Sequence, residues 1–205
     1  IYISGSSVEF PSGKGLAIYI SSDGGKTFDR QMMDISFERH RSPVMSMSTG
    51  PEGDLYGTII VDAKQYIIHF TSFNPLEFEK FEMPGQQPIY ASERISTKSN
   101  RGLYTYKGPE LVIDKSPSSP YRGRFYVIWA QPERVIDDKD FEYRYRAYNS
   151  DIFVSYSDDK GRTWSEPVRV NDDICNTCGD QTFPSVDIGE KGNLHVAFLD
   201  HRNRQ

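Results

Sequence analysis

The sequence predicts an all-β chain built by repeating a four-stranded antiparallel sheet. Three observations lead there. A turn of the form S-x-D-x-G-x-T-aromatic occurs twice, and a proline–strand–glycine–strand unit occurs three times. Helical periodicity is absent, while Pro and Gly punctuate the whole chain.

The first turn is Ser21-Ser-Asp23-Gly-Gly25-Lys-Thr27-Phe28, and the second is Ser157-Asp-Asp159-Lys-Gly161-Arg-Thr163-Trp164. Each follows a β-rich run, Leu16 to Ile20 and Asp151 to Tyr156. A short carboxylate side chain in a tight turn accepts hydrogen bonds from nearby backbone N–H groups. Glycine at the fifth position takes positive φ without a Cβ clash. The Ser and Thr hydroxyls add local bonds, and the closing aromatic ring is expected to return to the core between sheets. Asp23 and Asp159 therefore read as structural, ahead of catalytic. A decayed third copy is Ser72-Phe-Asn74-Pro-Leu-Glu-Phe78, which keeps a side-chain acceptor and the aromatic but lacks the glycine.

The second pattern is a hairpin signature. It runs from Pro43 to Gly53 and on to Val61, from Pro109 to Gly123 and on to Trp129, and from Pro184 to Gly192 and on to Phe198. Joined end to end, hairpin and turn give strands A, B, C and D of one unit. Asp23 and Asn74 are 51 residues apart, and Asn74 and Asp159 are 85 apart. Two insertions, 85–108 and 131–149, explain the longer gap. Four strands at a period of about 40–50 residues are what β-propeller blades show.

The blades fall at about 1–36, 43–84, 109–171 and 184–205. The first lacks strand A and the last stops after strand B, so two blades are complete and two are partial. A propeller leaves no sheet edge bare and needs at least about four blades. Either the rest of a larger ring lies outside this stretch, which is the favoured reading, or another chain completes it. The chain opens on Ile1-Tyr-Ile3 with no initiator Met or signal peptide, so its start is expected to be processed or missing.

The two turns, together with Pro184-Ser-Val-Asp and Gly192-Asn-Leu-His-Val-Ala-Phe-Leu-Asp-His-Arg202, resemble the BNR/Asp-box superfamily of sialidase-like propellers. The resemblance spans roughly residues 18–202. It implies a β-propeller, six-bladed when complete, displayed outside the cell. It also implies that the aspartate turns occupy one face and that ligands bind the opposite one. That face would carry Arg41, Arg94, Asp180, Asp200 and Arg202, with Asp172 and Asp173 in the same connection as the cysteines.

A sialidase clamps its substrate carboxylate with three arginines, for which guanidinium forks are suited. It uses an Asp acid/base and a Tyr nucleophile in place of the usual carboxylate pair. The family's F/Y-R-I-P arginine motif is absent here. Arg41-Ser-Pro43 and Arg94-Ile are faint echoes, and Tyr143 and Tyr145 flank no fixed partner except the nearby Glu142. No catalytic residue is assigned. Asp200-x-Arg202 reads first as a structural pair between blades and second as a ligand contact.

The remaining features are bland. Cys175 and Cys178 form one CxxC without the second half of a zinc site, and a local disulfide ranks ahead of free thiols and metal. Asp137, Asp138 and Asp140 form an acidic loop in which calcium is the alternative to solvent. The four histidines show no metal spacing, with His69 and His195 inside expected strands. No nucleotide or hydrolase fingerprint is present, and no cofactor is expected. The net charge of −5, from 24 basic and 29 acidic residues, argues against nucleic acid, and no apolar run reaches membrane-spanning length.

Three functions compete. The leading one is a secreted or surface-displayed module that binds a glycan or surface protein, with further blades of the same protein as its other partners. The alternatives are an exo-acting glycosidase, most simply a sialidase, and a structural module of a surface assembly.

Overall fold

The computed structural model describes residues 2–10, 13–35, 45–61, 64–83, 109–137, 145–173 and 179–202. Among them there is no helix. Thirteen strands among the described residues form four antiparallel sheets, each made of strands consecutive in sequence. Sheet 1 holds β1 (Tyr2–Phe10), β2 (Gly13–Ile20) and β3 (Asp29–Met33). Sheet 2 holds β4 (Met45–Thr49), β5 (Leu55–Val61), β6 (Lys64–Phe73) and β7 (Leu76–Glu82). Sheet 3 holds β8 (Glu110–Ile113), β9 (Phe125–Asp137), β10 (Tyr145–Ser157) and β11 (Val168–Arg169). Sheet 4 pairs β12 (Gln181–Ile188) with β13 (Leu194–Asp200).

Residue alternation along a strand sends successive side chains to opposite faces. In sheet 2 this splits the apolar residues between two cores. Leu55, Ile59, Ile68 and Phe70 meet Leu16, Ile18, Met33 and Ile35 of sheet 1 and its end. Tyr56 and Ile67 face the other way, onto Leu111, Ile113, Phe125, Val127 and Trp129 of sheet 3. Both faces of sheet 2 are therefore buried. The first strands of successive sheets are linked by polar bonds. Leu111 N–H donates to Ser46 Oγ at 3.2 Å, and Val186 N–H to Glu110 Oε2 at 3.0 Å.

The turn between β10 and β11 is held as its chemistry requires. Asp159 Oδ1 accepts from the amides of Arg162 (3.0 Å) and Thr163 (2.8 Å), and Oδ2 from the Thr163 hydroxyl (2.6 Å). Ser157 Oγ donates to Asp159 Oδ1 and accepts from Gly161 N–H, both at 2.8 Å. The turn between β2 and β3 repeats the scheme. Asp23 accepts from the amides of Lys26 and Thr27 at 3.0 Å and from the Thr27 hydroxyl at 2.7 Å, while Ser21 Oγ accepts from Gly25 N–H at 2.7 Å. Gly25 and Gly161 have φ of 91° and 88°. In the decayed copy a hydroxyl supplies the acceptor, Asn74 N–H donating to Ser72 Oγ at 3.4 Å.

Four expectations need correction. The segment 131–149 is not wholly an insertion: β9 and β10 run on as one long hairpin, in register out to Asp137 and Tyr145. Main-chain pairing is indifferent to side-chain polarity, so added residues extend the hairpin at both of its strands. The fourth strand of the unit, which the sequence predicts over Glu166-Pro-Val-Arg-Val170, is only Val168–Arg169 in sheet 3. Pro184 does not precede its strand but lies inside β12, where the register shifts between Thr182 and Ser185 and Phe183 has φ 53°. A proline cannot donate to a ladder, and a bulge accommodates it.

The fourth concerns the closing aromatics. Trp164 packs against the core shared by sheets 2 and 3, and its Nε1–H donates to Gly161 O at 3.0 Å. Phe28, in the matching place, is 41% exposed. The closing ring of a turn packs on the preceding sheet, and among the described residues none precedes sheet 1.

Close packing gives the two turn positions different tolerances. A Cβ on Gly161 would lie 3.1 Å from Ile67 Cγ1, whereas one on Gly24 (φ 77°) meets nothing within 4 Å. Gly161→Ala should cost about 1–3 kcal/mol, lowering Tm by roughly 2–10 °C, and Gly24→Ala should fall at the bottom of that range. Thermal unfolding followed by circular dichroism checks this; equal shifts for the two variants would contradict the packing.

Candidate functional site

In an antiparallel meander, successive connections alternate between the two ends of the sheet. The aspartate turns and the β4–β5, β8–β9 and β12–β13 loops therefore lie at one end. The strand ends joined by the β5–β6 and β9–β10 connections, and those from which the chain passes between sheets, lie at the other. Asp180, Asp200 and Arg202 belong to this second end, and the structure brings them together at the junction of sheets 3 and 4.

The junction is built on buried neutral amides. Asn171 leaves β11 and turns inward, where its Oδ1 accepts from Ile152 N–H of β10 at 2.8 Å. Its Nδ2 donates to Asp151 Oδ1 at 2.6 Å and contacts Asp173 and Gln181. Gln181, fully buried at the start of β12, donates from Nε2 to Asp200 Oδ1 at 3.2 Å. Asp180 Oδ1 accepts from Ser150 N–H of β10 at 3.0 Å. The chain entering sheet 4 is thus tied to sheet 3 through side chains. Gly179 makes the close approach that this needs: a Cβ there would sit 2.4 Å from His201 O.

Arg202 lies at the solvent edge of this network. Its Nε and amide N–H both bond Asp200, at 2.6 and 2.9 Å, and its Nη2 reaches Asp172 Oδ1 at 2.8 Å. Asp172 is 85% exposed. The Arg202 guanidinium holds the Asp200 carboxyl at about 2, and holds that of Asp172 below its ordinary value. The two carboxylates in turn raise Arg202, Asp200 more than Asp172. Chemically, the cluster offers carboxylate acceptors to hydroxyl or cationic donors, and one guanidinium that already carries two carboxylates.

The other anticipated residues are not all brought here. Arg41, Arg94, Tyr143, Cys175, Cys178, Asp138 and Asp140 lie outside the described residues. Asp137 ends β9, and no group of three or more His, Cys, Asp or Glu among the described residues is placed to hold a metal ion. His69 stacks on Tyr56 with ring centroids 4.6 Å apart, and His195 lies in β13. No helix is long and apolar enough to cross a membrane among the described residues. Asn171 and Gln181 were not legible as site residues, because a neutral amide in a strand or connection carries no charge or spacing signal.

No family model and no curated protein matches the chain.

Asp159 and Asp200 are among the carboxylates that make this structure acid-sensitive. Burial raises Asp159, but the bonds from Thr163, Ser157 and the Arg162 amide outweigh it and bring it down to about 2, where Asp200 also stands. An unfolded Asp titrates near about 3.9. Both groups thus contribute stability above about pH 4, and lose it as pH falls toward about 2. Urea unfolding between pH 5 and 2 (about the range of that titration) should show Asp159→Asn and Asp200→Asn each flattening the decline in stability. Slopes equal to that of the unaltered protein would refute the assignment.

Proposed function

We propose that the chain is a stretch of an Asp-box β-propeller, secreted or held at the cell surface, whose end opposite the aspartate turns binds a glycan or a surface protein. The observation that carries this reading is the repetition of one turn, bond for bond, after the third strand of the full unit. Sheets 2 and 3 are four-strand meanders, and β4 lies beside β8 and β8 beside β12. In a propeller these first strands line the central axis. Sheets 1 and 4 are the two partial blades, and the remaining blades belong to the same protein.

The ligand end is the one with the polar side chains that the fold does not spend on turn formation. Asp172, Asp200 and Arg202 line its described part, next to the connection that carries Cys175 and Cys178. A disulfide between those cysteines would suit an exported protein. Asp137, Asp138 and Asp140 are the candidates for calcium. A second reading is an exo-acting glycosidase of sialidase type, in which Arg202, paired here with Asp172 and Asp200, would exchange one of them for a substrate carboxylate. Its remaining catalytic groups would lie elsewhere in the protein.

A glycan array probed with the full-length protein separates these readings. The expected result is a defined set of glycans whose binding falls about 10- to 100-fold in Asp200→Ala, the range for loss of a charged hydrogen-bonding group. An array without hits contradicts glycan recognition. Release of 4-methylumbelliferone from its sialoside would decide for the enzyme.

A further inference from the structure

The charged edge at the junction of sheets 3 and 4 hangs on a continuous chain of hydrogen bonds. Ile152 N–H of β10 donates to Asn171 Oδ1 at 2.8 Å, Asn171 Nδ2 to Gln181 Oε1 at 3.3 Å, and Gln181 Nε2 to Asp200 Oδ1 at 3.2 Å. Both amides are buried. A buried amide that accepts at one end and donates at the other cannot reverse without leaving polar groups unpaired. The chain of bonds therefore presents an N–H to Asp200.

Asp200 keeps little acceptor capacity for a ligand. Its Oδ1 accepts from Gln181 and from the Arg202 amide, and its Oδ2 from Arg202 Nε, with Nη2 also at 2.6 Å. A carboxylate has about four acceptor positions, and these donors occupy them. Asp172 is the opposite case. It is 85% exposed and spends Oδ1 on Arg202 Nη2 at 2.8 Å, which leaves it further acceptor positions. Arg202 Nη1 bonds no group among the described residues. Open acceptors on Asp172 thus stand beside open donors on the guanidinium.

A hydroxyl both donates and accepts, so two neighbouring hydroxyls satisfy this carboxylate and this guanidinium together. An acid group can satisfy only the guanidinium. It would also meet two carboxylates on a single cation, with Asp173 and Asp180 buried in the same connection. We infer that the Asp172–Arg202 edge recognises an uncharged sugar through a pair of neighbouring hydroxyls and rejects glycans that end in an acid group. This rests on the glycan-binding reading above and names the ligand class for that end of the sheets.

An array that carries each glycan in neutral and sialic-acid-capped form, probed with the full-length protein, tests it. The expected hits are neutral glycans, bound equally well at about 0.1 and 1 M salt, a range over which exposed charges become screened. Asp172→Ala, at an exposed position, should weaken those hits about 10- to 100-fold. It should also let capped glycans bind, because it leaves Arg202 one carboxylate short. Hits confined to capped glycans overturn the inference while glycan binding stands. Neutral hits that Asp172→Ala leaves unchanged do the same. Hits that vanish at high salt identify a charged ligand and contradict it as well. An array without hits removes the glycan reading and this inference together.

Discussion

The carboxylate of Asp159 accepts two backbone amides and a hydroxyl within five residues, and much of the structure depends on that local capture. A turn between two strands leaves N–H groups that cannot join the ladder, and water is the alternative partner. Taking those amides into one side chain fixes the turn's shape. The fixed shape delivers Trp164 to the preceding sheet and brings the Gly161 backbone against Ile67. Local hydrogen bonding thereby becomes sheet-to-sheet packing. Asp23 performs the same capture in sheet 1, where bonds from Thr27 above all hold its carboxyl well below the ordinary range.

The two ends of the sheets divide the polar chemistry. At the turn end, loops from neighbouring sheets are stitched directly: Ser118 donates to Glu190 O at 2.7 Å, and Lys160 Nζ lies 3.7 Å from Asp54. There Arg124 bonds Asp158 through two nitrogens, at 2.7 and 2.9 Å, between the rings of Tyr121 and Tyr156. Those charges are consumed in structure. At the other end the amides of Asn171 and Gln181 lie buried, and the ion pairs of Arg202 lie at the surface above them. Surface ion pairs contribute little stability by themselves. What the Arg202 cluster supplies is a charged, anchored edge on a rigid base.

What was legible in the sequence follows from how local each feature is. The two intact turns and their glycines are encoded within eight residues, the strands before them in the short β-rich runs that precede, and the structure forms them. The all-β class and the hairpins follow from alternation and punctuation. The extension of β9 and β10 was not legible, because Gln131-Pro-Glu-Arg shows no apolar alternation, while the ladder that carries it is a main-chain pairing. Phe28 was misread for a different reason: the motif specifies that a ring is presented, not that a surface waits to receive it. Asn171 and Gln181 escaped notice because their role depends on partners in β10 and β13, distant in sequence.

Capture of the turn by the aspartate in solution is the constraint from which the rest of the packing follows. Amide hydrogen exchange at Arg162 and Thr163, compared between the unaltered protein and Asp159→Ala, measures this directly. Protection approaching that of the β9 and β10 core amides, lost on removing the carboxylate, is the predicted result. Exchange at the rate of an unstructured peptide before any substitution would contradict it.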